Sequence, residues 1–224
     1  MMELPQQHTP RAGWLRQAWV RGFRWWPAKL IGTTTGMTLF FAAYFWILRH
    51  PLYPVTPMPL TAIDRMIPFQ PETLPLYLSL WPYLSLVPAL LTDRRELVSY
   101  VLAAAGISVI GLGIFLLWPT AVFWSDANWS QHPAFAFLKS VDASGNACPS
   151  LHVAFAVFTA VWLGRLLCQM GAGRGVRAIN WLWCLGILYS TVAIRQHVAL
   201  DVLAGAGLGA IVAVIHLRWL RASG

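Results

Sequence analysis

Apolar residues in this chain come in long runs, separated by short polar or proline-rich breaks. The first run covers about Leu30–Leu48 and the third about Leu97–Trp118. The fourth covers about Ser150–Cys168, the fifth about Trp181–Ile194 and the sixth about Val198–Leu217. The second, about Leu74–Leu91, is interrupted by Pro75, Pro82 and Pro88, which predicts a kinked helix. Most of these runs are close to the roughly 20 residues that a helix needs to cross a bilayer. Between them, residues 49–73 are proline-rich and predict a loop or a partly re-entrant segment. Thr92–Glu96 reads as a tight turn, residues 119–149 as a long loop, and residues 169–180 as a Gly/Arg-rich loop. Only Arg195, Gln196 and His197 separate the last two runs.

Composition agrees. Of 224 residues, 58% are apolar and 11% charged, and the mean hydropathy is +0.58. Soluble domains carry about 25% charged residues, so an ordinary soluble enzyme is excluded. Disorder is excluded as well, because it requires low hydrophobicity. The expected fold is all-α, a polytopic membrane protein with six transmembrane helices. Residues 1–29 form a cytoplasmic basic amphipathic segment, with Trp14, Trp19 and Phe23 on one half of a helix and Arg16, Arg21 and Arg24 on the other. Residues 30–217 form the membrane domain and residues 218–224 a cytoplasmic tail. Three cysteines without metal-ligand spacing make neither a disulfide framework nor a zinc site.

The net charge of +8 is a question about partners. Placing the N-terminus inside puts Arg11, Arg16, Arg21, Arg24, Lys29, Arg94, Arg95, Arg165, Arg174, Arg177, Arg218 and Arg221 on the cytoplasmic side. Only Arg49, Arg65, Lys139 and Arg195 fall outside. That asymmetry predicts both termini in the cytoplasm, and the compact chain is expected in a bacterial inner membrane. It also accounts for the basic balance without a nucleic-acid partner.

Ionisable groups at span ends are costly and mark function. His152 opens the fourth span and His197 the sixth, and Asp201 follows His197 on the same predicted helix face. Spans four and six run in the same direction, so both N-termini reach one face, where free N–H groups favour an anion. A carboxylate beside one imidazole nitrogen fixes the tautomer and makes the other nitrogen nucleophilic. Asp201 would orient His197, and His152 would protonate the departing oxygen. The chemistry described is phosphoryl transfer through a phosphohistidine. Two histidines and an aspartate also form a metal-ligand set, but a His–Asp pair at this spacing requires no metal, and no cofactor is expected.

Pro149-Ser150-Leu151-His152 resembles the Pro-Ser-x-His motif of the type 2 phosphatidic acid phosphatase (PAP2) superfamily. Ser190, His197 and Asp201, with Val202-Leu203-Ala204-Gly205 following, resemble that family's last motif, Ser-Arg-x5-His-x3-Asp. The resemblance implies a six-helix core, His197 as nucleophile, His152 as acid and Asp201 as its orienter. Ser190 enters the substrate site through the same motif. Ser150 is expected to cap span four and to donate to phosphate.

Departures from the pattern are informative. The family's Lys-x6-Arg-Pro motif is absent, and Thr191 stands where the last motif has Arg. Trp118-Pro119-Thr120 falls near the place of the missing motif. Arg195 and Lys139 are the expected substitute cations. Fewer cations suit a phosphodiester better than a doubly charged monoester, which points to the phospho-headgroup transferases such as inositol phosphorylceramide synthase. The expected activity is therefore phosphatase or phosphotransferase chemistry on a lipid phosphate ester at the outer face, leaning to headgroup transfer. A plain lipid phosphate or diphosphate phosphatase is the alternative enzyme, and a lipid-binding or transport protein the non-catalytic one. Gly205 and Gly209 predict a close helix contact in span six, and Gly106, Gly111 and Gly113 one in span three. Neither the lipid nor the oligomeric state is readable.

Overall fold

A computed structural model describes residues 13–124 and 146–222. Among the described residues, six helical segments are long and apolar enough to cross a membrane: Trp26–Arg49, Pro71–Leu90, Arg94–Leu117, Leu151–Gln169, Arg174–Ala193 and Ala199–Ala222. A short amphipathic helix, α1 (Trp14–Phe23), precedes them. Its Trp14 and Ala18 pack on the bundle, and Gln17 Nε2 donates to the Met170 carbonyl at 3.2 Å. Trp19 and Phe23 stay exposed, so the aromatics of this helix divide between protein and surroundings. The first span, α2 (Trp26–Arg49), starts four residues before the expected Leu30, just after Trp25 reverses the chain at φ 56°. Lys29 on this helix is buried, and its ammonium donates to the carbonyls of Arg21 (2.9 Å) and Ala89 (2.6 Å). It thus ties the end of α1 and the end of the second span to the start of the first.

Residues 50–73 hold a short helix, α3 (Ala62–Met66), and a two-residue strand, β1 (Thr56–Pro57). That strand pairs in parallel with β2 (Thr120–Ala121). The second span is broken as its prolines predict. A 3-10 turn (Pro71–Thr73) leads into α4 (Leu74–Leu78), and α5 (Leu80–Leu90) follows after Ser79. Pro82 has no N–H to give to the turn before it, so the ladder is interrupted there. Next comes α6 (Arg94–Leu117), capped by the Asp93 carboxylate, which accepts from the N–H of Glu96 at 3.1 Å.

The fourth span, α7 (Leu151–Gln169), is the axis of the bundle and the most buried of the six. Ser150 caps it, its hydroxyl accepting from the Val153 N–H. The fifth, α8 (Arg174–Ala193), begins well before the expected Trp181, so most of the anticipated loop at 169–180 is helix. Asn180 explains the difference. Its amide donates to the Ala160 carbonyl (2.9 Å) and accepts from the Tyr83 hydroxyl (2.7 Å), which makes a polar residue acceptable inside a packed helix. The last helix, α9 (Ala199–Ala222), continues five residues past the expected Leu217. Its His216 is buried against Ser99 of α6.

α7 and α9 pack backbone against backbone. A Cβ on Gly205 would lie 2.2 Å from the Ser150 carbonyl oxygen, and one on Gly209 2.2 Å from that of Ala154. In span three only Gly111 meets a neighbour, the Leu151 side chain; Gly106 and Gly113 face open space, contrary to expectation. Lipid offers no hydrophobic drive for helices to associate, so backbone approach of this kind supplies the packing.

Gly209→Ala is expected to lower the thermal unfolding midpoint in detergent, since a rigid carbonyl blocks the new methyl. Overpacking of this kind costs about 1–3 kcal/mol. Gly207→Ala, two residues away with nothing within 4 Å, should leave the midpoint unchanged.

Candidate active site

Two helix N-termini meet at one end of the bundle. The Ser150 N–H donates to the Asp201 carbonyl at 3.1 Å, which joins the start of α7 to the start of α9. The turn between α8 and α9 is tight. The N–H groups of Gln196 and His197 both donate to the Thr191 carbonyl at 3.1 Å, and Arg195 adopts φ 63°, a conformation unusual for a residue with a side chain. His197 therefore stands two residues before α9 begins, rather than on its face. Val198 is the residue at the helix start: its carbonyl accepts from the Val202 N–H, and its own N–H donates to Asp201 Oδ2 at 3.1 Å. Asp201 is thus a first-turn carboxylate that folds back on the helix start. His197 Nδ1 lies 3.6 Å from the same oxygen, within ion-pair range and outside hydrogen-bond range.

His152 is held on two sides. Its Nε2 is 2.9 Å from the Tyr77 carbonyl, and its ring stacks on the Tyr77 ring with centroids 3.9 Å apart and 6° between planes. A carbonyl only accepts, so Nε2 carries a proton and Nδ1 is the nitrogen that takes up or releases one. His152 and His197 line one cavity of about 360 Å³. Its remaining walls are mostly apolar and aromatic, with Phe40 and Phe41 of α2 in ring contact with Phe155 and Trp81, and Tyr44 and Phe45 beside them. The volume is at the lower end of the range for ligand sites, about 300–1,000 Å³.

Of the other expected residues that are described, Ser150, Ser190, Arg195 and Asp201 do not line this cavity. Ser150 is fully buried at the cap of α7. Ser190 is also fully buried, and its hydroxyl donates to the Ile187 carbonyl in its own helix at 2.7 Å. Arg195 is 3% exposed; its guanidinium donates to the Asp64 carbonyl at 3.2 Å and lies 3.8 Å over the Trp124 ring. Lys139 lies outside the described residues. Among the described residues no group of three His, Cys, Asp or Glu side chains has the arrangement of a metal site.

A family model described as the PAP2 superfamily matches residues 95–224. The chain belongs to the PAP2 superfamily. No curated protein matches it, and no solved structure does. The match covers His152, His197 and Asp201, and it begins only after α1–α5. The parts of this PAP2 protein that the motifs do not reveal are therefore those in its first half: Tyr77, the aromatic wall of α2, and Asp64. Asp64 has a readable signal, because Thr61-Ala62-Ile63-Asp64 is a capping box, but no periodicity says where α3 docks.

Cys148 is buried beside Met58, Ala147 and Val198. Burial and the neighbouring Asp201 carboxylate push its thiol up to about 11, so it stays protonated at neutral pH. Of the three cysteines only Cys168 is exposed. Maleimide at pH 7.5 should modify one thiol per folded chain, at Cys168, and denaturant should release the other two; mass spectrometry of the labelled protein reads the result.

Proposed function

We propose that this protein transfers the phosphoryl group of a lipid phosphate ester through a phosphohistidine on His197, and that it favours transfer of a phospho-headgroup to a lipid alcohol over release to water. One observation supports it above the others. The two histidines of the family motifs open together onto a cavity whose aromatic wall comes from a membrane-spanning helix. A hydrocarbon chain suits that wall, and the phosphate it bears would reach the histidines.

His197 Nε2, the nitrogen facing away from Asp201, attacks phosphorus. The P–O bond to the leaving alcohol breaks, and that oxygen takes a proton from His152 Nδ1. An acceptor hydroxyl then gives its proton back to His152 as its oxygen attacks phosphorus, the P–N bond breaks, and His197 is restored. Asp201 stabilises the positive charge that His197 develops.

His152→Ala should lower turnover about 10²–10⁴-fold, the usual contribution of general acid–base catalysis. Asp201→Asn keeps an acceptor for the Val198 N–H and removes only the charge, so it should fold normally and lose turnover. His197→Ala should abolish both turnover and the trapped phosphohistidine. Unchanged lipid turnover by folded His197→Ala would leave the protein a lipid-binding or transport protein. With purified protein and labelled phospholipid, product should depend on added lipid alcohol. Acceptor-independent release of phosphate from a monoester, without transfer, would make it a plain phosphatase.

The charge distribution supports an orientation with both termini in the cytoplasm and the histidines at the outer leaflet. Cys168, at the opposite end of α7 from His152, reports on it. A membrane-impermeant maleimide should label Cys168 in inverted vesicles and not in intact spheroplasts.

A further inference from the structure

Asp64 is fully buried, lies in the proline-rich segment before the family match, and has no part in the chemistry above. Its carboxylate makes three hydrogen bonds, and it accepts in all of them. Oδ2 accepts from the N–H and the hydroxyl of Thr61, both at 2.7 Å. Oδ1 accepts from the N–H of Ala199, the first residue of α9, also at 2.7 Å. Nearby, the Gln70 N–H donates to the Ala193 carbonyl at 2.9 Å, so the segment holds both sides of the turn that carries His197.

This contact alters the anion site. A helix N-terminus attracts phosphate because its first N–H groups are unfilled. At α9 the Val198 N–H is already taken by Asp201, and the Ala199 N–H by Asp64. The one cation adjacent in sequence, Arg195, is turned onto the peptide of Asp64 itself. Two resident carboxylates therefore stand where an incoming phosphate would find N–H groups, on the two residues that directly follow His197.

We infer that Asp64 is a specificity-determining residue: its carboxylate fixes the start of α9 and, by occupying that helix N-terminus, selects a singly charged phosphate ester over a doubly charged one. A monoester carries about −1.5 to −2 at neutral pH, whereas a diester carries a single charge, so a fixed negative charge penalises the monoester more. The inference rests on the proposed phosphoryl-transfer reading and deepens it.

The test compares wild type, Asp64→Asn and Thr61→Val. Asn keeps an acceptor for Ala199 and removes the charge, whereas Thr61→Val disturbs the same loop and keeps the charge. Binding of inorganic phosphate at pH 8, read from the thermal unfolding midpoint, should strengthen about tenfold in Asp64→Asn and stay at the wild-type value in Thr61→Val. The kcat/KM ratio of lipid monoester to diester should rise in Asp64→Asn by a similar factor. An unchanged phosphate affinity in Asp64→Asn, or an equal change in Thr61→Val, overturns the inference. If wild type turns over neither ester, the functional reading fails while phosphate binding still decides the role of Asp64. If Asp64→Asn does not fold, wild type decides alone: dimethyl phosphate should bind better than inorganic phosphate at pH 8, and the reverse order overturns the inference.

Discussion

The approach of two backbones, α7 against α9, is the constraint on which the site depends. Gly205 and Gly209 let the last helix lie directly on the carbonyls of Ser150 and Ala154. At that separation the Ser150 N–H reaches the Asp201 carbonyl, and the starts of the two helices become one unit. His152 is two residues into this unit on one side, and His197 is two residues before α9 on the other. Any side chain at the glycines would push the helices apart and separate the histidines with them. In a membrane this geometry has to come from shape, because lipid tails compete equally for apolar surface.

Around that unit, the other elements supply fixed partners for groups that would otherwise be costly. The break at Ser79 accompanies a Tyr77 carbonyl that meets His152. The capping box at Thr61 delivers a carboxylate to Ala199. Lys29 and Asn180 answer backbone and side-chain groups between helices. Each is a polar residue buried with its hydrogen bonds made, which is the condition for keeping it inside.

How much of this was legible depends on range. The spans follow from local hydropathy, and the Gly205/Gly209 contact from the spacing of small residues within one helix. The motif resemblance singles out His152, His197 and Asp201 as candidates, and the two histidines line one cavity. The start of α8 was missed because Asn180 is made acceptable by Tyr83 and Ala160, which are distant in sequence. The same holds for Asp64 and Tyr77, whose contacts with Ala199 and His152 span more than seventy residues. His197 was placed on a helix face because i, i+4 spacing is ambiguous at a helix start. There, a first-turn carboxylate reaching back brings the same two residues together without a helical turn between them. Gly106 and Gly113 look like Gly111 in sequence, and only packing shows that one of the three has a neighbour.

Charge joins the fold to the chemistry. Basic residues are concentrated in the segments that the positive-inside pattern places opposite the histidines. At the histidine end, the sequence-adjacent cation is spent on a backbone carbonyl and an aromatic ring. Carboxylates hold two of the N–H groups that an anion would use. A strongly charged phosphate would enter such a site against the local field, and the aromatic cavity, being poorly polarisable beside water, would screen little of that field. A lipid bound chiefly through its chain, with a phosphate of low charge, meets less opposition and gains the apolar contact. On the proposed reading, binding energy comes from the chain and from the aromatic wall, and the histidines need only a phosphorus brought within reach.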